Sequence, residues 1–210
     1  MGTFRDYLDS IRHLVVDDEA AARYDAERAA WRDDQRRQAI ALQVARLSPR
    51  HVAYVRTMEA GEHEPSDAWR ALSRALQDEP GASRLLLGPT GIGKTTAAVR
   101  WAYRRAQAGE TVLQVSAVRY PTLAKHEAAL EEAEQVGLLI LDQTHRLAEM
   151  PEWIATPIRE LVDSRYERQR QTIACFTGEM AAALHALKHD IIERLGVPIV
   201  VTGRSYRRTW

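Results

Sequence analysis

Residues 88–95 of the chain read Gly88-Pro89-Thr90-Gly91-Ile92-Gly93-Lys94-Thr95. They match the pattern G-x-x-x-x-G-K-[ST], directly after an apolar strand-like run and directly before a helix-like segment, which is the context that a P-loop requires. The glycines let the main chain curl, so that successive N–H groups converge on phosphate oxygens at the positive end of the following helix. The pattern therefore predicts a site that binds the phosphates of a nucleotide.

Two side chains of this stretch have individual roles in the prediction. Lys94 reaches the β- and γ-phosphates as a compact charge, and Thr95 offers its hydroxyl to Mg²⁺. A glycine-rich turn without a ligand is the alternative, and the strand-to-helix context disfavours it. We expect a nucleotide and Mg²⁺ as cofactors, held by Gly88, Pro89, Thr90, Gly91, Ile92, Gly93, Lys94, Thr95 and Thr96.

A second apolar run ends in an acid at Asp142, within Leu138-Leu139-Ile140-Leu141-Asp142. A carboxylate at the end of a buried strand is the usual partner of a P-loop in holding Mg²⁺, so Asp142 is predicted to be a metal ligand with Thr95. At the next position, Gln143, nucleotide hydrolases often carry a second carboxylate that polarises the attacking water. An amide orients a water but accepts no proton, so we expect slow hydrolysis.

His145 lies close enough to Asp142 to be a substitute base. A turn histidine on a charged surface explains this residue equally well. Both interpretations stay open at the level of sequence.

From residue 84 onward, short apolar runs alternate with helix-like stretches. The runs at 85–87, 111–115, 138–141, 172–175 and 199–201 are typical of parallel strands that are buried on both faces. The stretches at 95–108, 122–135, 154–168 and 179–187 are long enough to be crossover helices. This alternation predicts an α/β fold with a parallel five-stranded sheet flanked by helices.

The N-terminal part of the chain has a different pattern. Residues 17–47 contain neither Gly nor Pro and carry opposite charges at i,i+4 spacing, which indicates a long helix with Tyr24 and Trp31 on a narrow apolar stripe. A short helix is expected at 51–59, and the breakers at 61–65 indicate a linker. Ser66 is predicted to cap the next helix, which presents Trp69, Leu72 and Leu76 on one face.

Composition limits the possible partners. The 29 basic residues balance the 29 acidic ones, so the chain has no global field that would hold nucleic acid, and any DNA contact must be local. The compact basic cluster lies at 204–208. Cys175 is the single cysteine, which excludes an internal disulfide. Without a long apolar run or a signal-like N-terminus at 1–7, we expect a cytoplasmic protein with no membrane partner.

The order of these motifs resembles the DnaC/IstB branch of the AAA+ ATPases. The resemblance covers about residues 69–208 and includes Thr-Ile-Ala-Cys-Phe-Thr at 172–177, Ile-Ile-Glu-Arg-Leu at 191–195 and Gly-Arg-Ser-Tyr-Arg at 203–207. It implies an AAA+ P-loop NTPase fold without a C-terminal lid, preceded by a small α-helical domain. The expected domains are 1–63, which binds a partner, and 64–210, the ATPase domain.

The resemblance also implies roles for two further residues. By matching positions, Thr177 falls where the branch usually has a sensor Asn, and Arg194 falls where it carries the arginine finger. With Lys94, Asp142 and Gln143, these residues form the expected catalytic set. An arginine that reaches a neighbour's γ-phosphate couples assembly to nucleotide state, so a homo-oligomer is expected.

The branch includes loaders of the replicative helicase and helpers of transposases, which act as ATP-controlled oligomers on DNA. The leading expectation is a helicase loader in DNA replication with slow Mg-dependent ATP hydrolysis, whose N-terminal helices grip the helicase. A transposition helper that grips a transposase is the close alternative. Single-stranded DNA is a possible partner, although the stretch 115–138, where loaders use an insertion for it, is short.

Two other classes remain possible from the residues alone. A nucleotide-gated binding switch with little hydrolysis is motivated by Gln143 and Thr177. A small-molecule kinase has a similar length and similar strands, but this sequence shows neither a lid nor an acceptor pocket for it.

Overall fold

The computed structural model of the protein describes residues 18–203. The basic cluster at 204–208 and the N-terminal stretch 1–7 therefore lie outside the described residues, and their predicted roles stay predictions.

The described part contains a parallel five-stranded sheet. Its strands are β1 (Arg84–Gly88), β2 (Val112–Ser116), β3 (Leu138–Asp142), β4 (Gln171–Thr177) and β5 (Ile199–Val200), in the spatial order β2-β3-β4-β1-β5. All pairings are parallel, and in this register Gly88 lies beside Thr177. The α/β class and the parallel sheet are confirmed, with strand bounds close to the predicted ones.

Helices connect and flank these strands. They are α1 (Asp18–Ala45), α2 (Pro49–Glu59), α3 (Asp67–Asp78), α4 (Lys94–Gln107), α5 (Tyr120–Lys125), α6 (Glu127–Gln135), α7 (Glu152–Glu167), α8 (Met180–Leu187) and α9 (His189–Arg194), with 3₁₀ turns at Ala117–Arg119 and Thr144–Glu149. Among the described residues, no helix is both long enough and apolar enough to cross a membrane.

The core lies on both faces of the sheet because successive strand residues point to opposite sides. Leu85 and Leu87 belong to the cluster under α5–α9, whereas Leu86 belongs to the cluster under α2, α3 and α4. Such double burial explains why β1 and β3 read as uninterrupted apolar runs in the sequence.

The segment predicted as one helix over 122–135 is two helices. The chain is extended at His126, with φ −114° and ψ 105°, between α5 and α6. Tyr120 and Leu123 from α5 and Ala133 from α6 all pack into the same core cluster. The break changes the direction of the chain between these two buried faces, and no Gly or Pro marks it in the sequence.

The chain divides into two compact units between Ala39 and Ile40. In the first, the side chains of residues 22–39 of α1 are exposed, Tyr24 and Trp31 among them. In the second, α2 buries Val52 and Val55 in the cluster that also holds residues of α3 and β1. The compact unit therefore starts before the expected linker at 61–65, because α2 contributes to the core. The assignment of 1–63 as a partner-binding domain stays a prediction.

Three helices of the second unit meet at an ion-pair cluster, which we call the Glu59 clasp (Glu59, Trp69, Arg100 and Arg104). Glu59 accepts hydrogen bonds from Arg100 Nε at 2.5 Å and Arg104 Nη2 at 3.1 Å. Both guanidinium groups lie over the Trp69 ring, 4.6 and 5.1 Å from its centroid. Burial raises the pKa of Glu59, but the hydrogen bonds from Arg104 and Arg100 outweigh it and leave the pKa below its usual value. The clasp fixes α2 and α3 against α4.

Candidate nucleotide-binding site

The loop at 88–95 has the backbone that its sequence predicts. Gly88, Gly91 and Gly93 have φ values of 141°, 84° and 89°, a region that side chains with a Cβ rarely enter. A Cβ on Gly88 would lie 2.2 Å from the carbonyl oxygen of Val201, so this position also lacks space for a side chain. The loop leads from β1 into the N-terminus of α4, where backbone N–H groups and the helix dipole favour an anion.

Lys94 is held inside this loop. Its Nζ donates to the carbonyl oxygens of Gly88 at 2.8 Å and Pro89 at 2.7 Å, and the residue is 6% exposed. These contacts keep the ammonium at the mouth of the loop rather than in bulk solvent. Ile92 differs from its neighbours, because its side chain is buried in the core cluster under α2, α3 and α4.

Thr95 and Asp142 meet although 47 positions separate them. Thr95 Oγ1 donates to Asp142 Oδ1 over 2.8 Å, and Asp142 ends β3 with 9% exposure. Hydroxyl and carboxylate oxygens are the hard donors that Mg²⁺ prefers, and Mg²⁺ takes few protein ligands because phosphate and water complete its shell. This pair therefore fits the ion. No group of three or more His, Cys, Asp or Glu within 18–203 forms a self-sufficient metal site.

Buried hydrogen bonds fix the end of β3. Tyr120 Oη donates to the carbonyl oxygen of Asp142 at 2.8 Å, and Thr144 Oγ1 donates to that of Cys175 at 3.1 Å. Burial raises the pKa of Tyr120, with smaller contributions from Asp142 and Cys175, so the phenol stays protonated as the donor. Burial likewise raises the pKa of the Cys175 thiol, which agrees with a core cysteine rather than a reactive one.

Gln143 adopts a conformation that is rare for its residue type. Its φ and ψ are 60° and 39°, and its N–H donates to the Asp142 carboxylate at 3.0 Å. The left-handed turn ends the strand and starts the 3₁₀ turn at Thr144–Glu149. Gln143 and Thr177 both line the same cavity as Lys94, Thr95 and Asp142. The structure thus brings these predicted residues together, and their catalytic roles stay predictions.

The cavity has a volume of about 860 Å³ and two different walls. The phosphate wall comprises the lining residues of the P-loop and of the ends of β3 and β4, namely Thr90, Gly91, Gly93, Lys94, Thr95, Thr96, Asp142, Gln143, His145, Cys175 and Thr177. The helical wall comprises the lining residues of α2 and the segment after it, namely Arg50, His51, Ala53, Tyr54, Thr57, Met58, His63, Glu64 and Ser66.

The helical wall is the part of the site that the sequence did not predict. The rings of Tyr54 and His63 stack with centroids 5.1 Å apart and planes inclined by 24°. Ser66 Oγ accepts the N–H of Trp69 at 3.2 Å, which confirms the predicted cap of α3. The same hydroxyl lies 3.0 Å from where a Cβ on Gly93 would be, so the wall touches the P-loop. The only signal in the sequence was an aromatic ring at Tyr54, before the breakers at 61–65, and a second ring at His63 among them.

Arg194 does not line this cavity. Its Nε donates to Asp163 Oδ1 at 2.8 Å, and its guanidinium carbon lies 4.6 Å from the centroid of the Tyr166 ring. It lines a separate cavity of about 480 Å³ with residues at the amino-terminal end of β1. The hydrogen bond that Arg194 donates to Asp163 raises the pKa of Arg194, so the guanidinium stays charged. Within one chain, Arg194 and the P-loop therefore line separate cavities.

A P-loop after β1, an acid at the end of β3 and the strand order β2-β3-β4-β1-β5 define an AAA+ P-loop NTPase fold. The solved structures with this fold that match the chain include replication proteins. The DnaI crystal structure matches with 20% identity and a TM-score of 0.55, over 81% of this chain and 93% of that one. The DnaC helicase loader matches with 18% identity and a TM-score of 0.54, over 67% and 94%.

AMPPCP-bound DnaA from Aquifex aeolicus matches with 19% identity and a TM-score of 0.54, over 64% of this chain and 45% of that one. The chain thus spans less than half of this DnaA. Likenesses at identities this low show the fold alone, and they confirm the expected AAA+ fold. No protein-family model and no curated protein matches the chain.

Proposed function

We propose that this protein binds Mg-ATP in the cavity between the phosphate wall and the helical wall. The observation that carries the proposal is the meeting of Thr95 Oγ1 and Asp142 Oδ1 beside Lys94 and the N-terminus of α4. A positive charge, backbone N–H groups and oxygen ligands for a metal lie together there, and a triphosphate with its Mg²⁺ requires all three. The bound AMPPCP of the similar DnaA structure supports a nucleotide as the ligand.

The proposed reaction is slow hydrolysis of ATP to ADP and phosphate. Gln143 orients a water but accepts no proton, so turnover is expected to lie well below that of a site with a carboxylate there. The same observation favours a second candidate, a nucleotide-gated switch in which binding alone changes the state of the protein.

For the biological role, we propose a helicase loader in DNA replication. The chain spans 93–94% of the similar DnaI and DnaC chains, one of which is described as a helicase loader. The exposed Tyr24 and Trp31 on α1 support a partner surface in residues 1–63. A transposition helper is the alternative role, and it would use the same fold and the same ATP-binding site.

We further propose that the protein acts as a homo-oligomer. Arg194 lies away from the P-loop of its own chain and keeps its charge, which suits a residue that contacts the nucleotide of a neighbour. On this proposal, the Asp163 and Tyr166 contacts hold the guanidinium until a neighbour arrives.

Calorimetry tests the nucleotide proposal. Titration of ATP with Mg²⁺ into the full chain is expected to give saturable binding that weakens when the metal is chelated. Asp142→Asn is expected to reduce the effect of the metal, whereas Asp190→Asn, at an exposed position, is the matched control. If ATP is not taken up by folded protein, the proposal is wrong.

Co-purification tests the role. The full chain with ATP is expected to retain a purified replicative helicase. The double variant Tyr24→Ala/Trp31→Ala is expected to retain less of the helicase. Retention of a transposase instead would favour the transposition helper. Gel filtration with ATP measures the size of the assembly. ATP turnover is measured separately, with and without single-stranded DNA. Arg194→Ala is expected to abolish the part of turnover that depends on a neighbour, while leaving ATP binding intact.

A further inference from the structure

The phosphate wall carries a titratable side chain for which the proposed reaction has no role yet. His145 lies on the 3₁₀ turn Thr144–Glu149, directly after the strand that ends in Asp142 and two positions after Gln143. It lines the same cavity as Lys94 and Thr177. The sequence left open whether this histidine is a base or a surface residue, and its place in the cavity wall bears on that question.

Packing holds the imidazole in one orientation. Its ring meets Phe176 edge-on, with centroids 5.9 Å apart and an angle of 79°, and Phe176 is buried in β4 directly before Thr177. The turn is anchored by Thr144, which is fully buried and donates to the carbonyl oxygen of Cys175. The ring is thus fixed to the end of β4, the strand between β3 and β1.

The hydrogen-bonding state of the ring is unusual. Nδ1 is buried and finds no hydrogen-bond partner within the described part of the chain. A buried ring nitrogen without a partner carries a desolvation cost that a bound water or ligand would relieve. This second feature distinguishes His145 from a surface turn histidine, whose nitrogens bond to bulk water.

The ring is neutral at physiological pH, chiefly because its burial disfavours the charged form. Burial lowers the pKa of His145, and Arg146 and Lys94 lower it further, while Glu149 and Asp142 raise it to a smaller net extent. A neutral imidazole has a lone pair that accepts a proton, a function that the amide of Gln143 lacks.

We propose that His145 accepts the proton of the attacking water during ATP hydrolysis, in place of the carboxylate that position 143 lacks. In this step the water oxygen forms a bond to the γ-phosphorus, and the bond from that phosphorus to the bridging oxygen breaks. ADP leaves with the electron pair, and the water proton passes to the imidazole and then to the departing phosphate. Gln143 orients the water. This inference rests on the proposed ATP hydrolysis.

A double-mutant cycle between positions 145 and 143 tests it. Single-turnover hydrolysis is measured for the full chain and for His145→Asn, Gln143→Glu and the double variant, with ATP affinity measured in parallel. His145→Asn is expected to lower the rate about 100-fold, the size of a general-base contribution. In the Gln143→Glu background the new carboxylate accepts the proton, so His145→Asn is expected to lower the hydrolysis rate less than about threefold.

Controls separate this role from a structural one. His185→Asn, on the exposed face of α8, is expected to leave the rate unchanged. ATP affinity and melting temperature are expected to be nearly constant across the cycle. The acidic limb of the rate profile, which lies below the ordinary histidine pKa of 6.5, is expected to disappear in His145→Asn.

Equal loss in both backgrounds, or an acidic limb that persists in His145→Asn, overturns the proposal for His145. Tight ATP binding without measurable hydrolysis by the unaltered chain also overturns it, while leaving the nucleotide proposal intact. Lack of ATP binding by the unaltered, folded chain would overturn both the proposal for His145 and the proposal of Mg-ATP binding.

Discussion

The two walls of the proposed nucleotide cavity are built in different ways. Most of the phosphate wall comes from one contiguous stretch, residues 88–96, together with the ends of two neighbouring strands. The helical wall comes from α2 and the segment after it, and α2 is held against α3 and α4 by the buried side chains of Val52 and Val55 and by the Glu59 clasp. The first wall therefore depends on local backbone geometry, and the second depends on packing.

This difference has a functional consequence. The phosphate wall offers charge and amide donors, which suit a triphosphate, whereas the helical wall offers the stacked rings of Tyr54 and His63, which suit a planar base. Substitutions in the phosphate wall should therefore weaken binding of the phosphates, and substitutions in the helical wall should weaken binding of the base.

The largest expected effect is that of Lys94→Ala on the phosphate wall. Loss of charge-assisted hydrogen bonds of about 1.5–3 kcal/mol each should lower ATP affinity about 100-fold or more. The affinity for tripolyphosphate should fall by a similar factor, since both ligands share the phosphates. Titration calorimetry measures both. Lys125→Ala, at an exposed lysine beside Trp153, is the matched control and should change neither; an equal loss there would contradict the assignment.

The clasp provides the next largest effect. Glu59→Gln leaves the buried guanidinium of Arg100 without its counter-charge, which should lower the free energy of unfolding by about 1–3 kcal/mol in urea denaturation. Because the folded pKa of Glu59 lies below its usual value of 4.5, its contribution is present above that pH and is lost as the pH falls through the lowered pKa. The difference between variant and parent should therefore shrink in acid. Glu62→Gln, at an exposed glutamate, should cost little.

A smaller effect is expected from Tyr54→Leu in the helical wall. Loss of an aromatic contact of about 0.5–1.5 kcal/mol should lower ATP affinity about 2- to 12-fold. The affinity for tripolyphosphate should stay constant because this ligand lacks a base. Tyr24→Leu, on the exposed surface of α1, should leave both affinities unchanged. If Tyr54→Leu weakened both ligands equally, the division between the walls would be wrong.

The smallest effect is expected where the walls touch. Ser66→Ala removes the cap of α3, which should lower the free energy of unfolding by about 1 kcal/mol. ATP affinity should change less than twofold, since Ser66 contacts the P-loop only by packing beside Gly93. Ser66→Asn is the useful comparison because it restores the cap but adds bulk, so it should recover stability and weaken ATP binding.

Much of the fold could be predicted from the sequence because doubly buried strands read as short apolar runs. The bounds of β3 and the cap at Ser66 are confirmed to within a residue. The break at His126 could not be predicted, since it follows from burial of both Tyr120 and Ala133 rather than from a breaker. The membership of α2 in the core was missed because the linker at 61–65 has the composition of a domain boundary.

The amino-acid sequence by itself determined the loop at 88–95, because its glycines directly set the backbone conformation and Lys94 and Thr95 are adjacent to them in the chain. It also determined the alternation of strands and helices. Only the tertiary structure decided that α2 forms a wall of the site, that His145 joins the phosphate wall and that Arg194 lies elsewhere. Those facts depend on contacts between distant residues, such as Glu59 with Arg100, whose formation requires the packed sheet and helices.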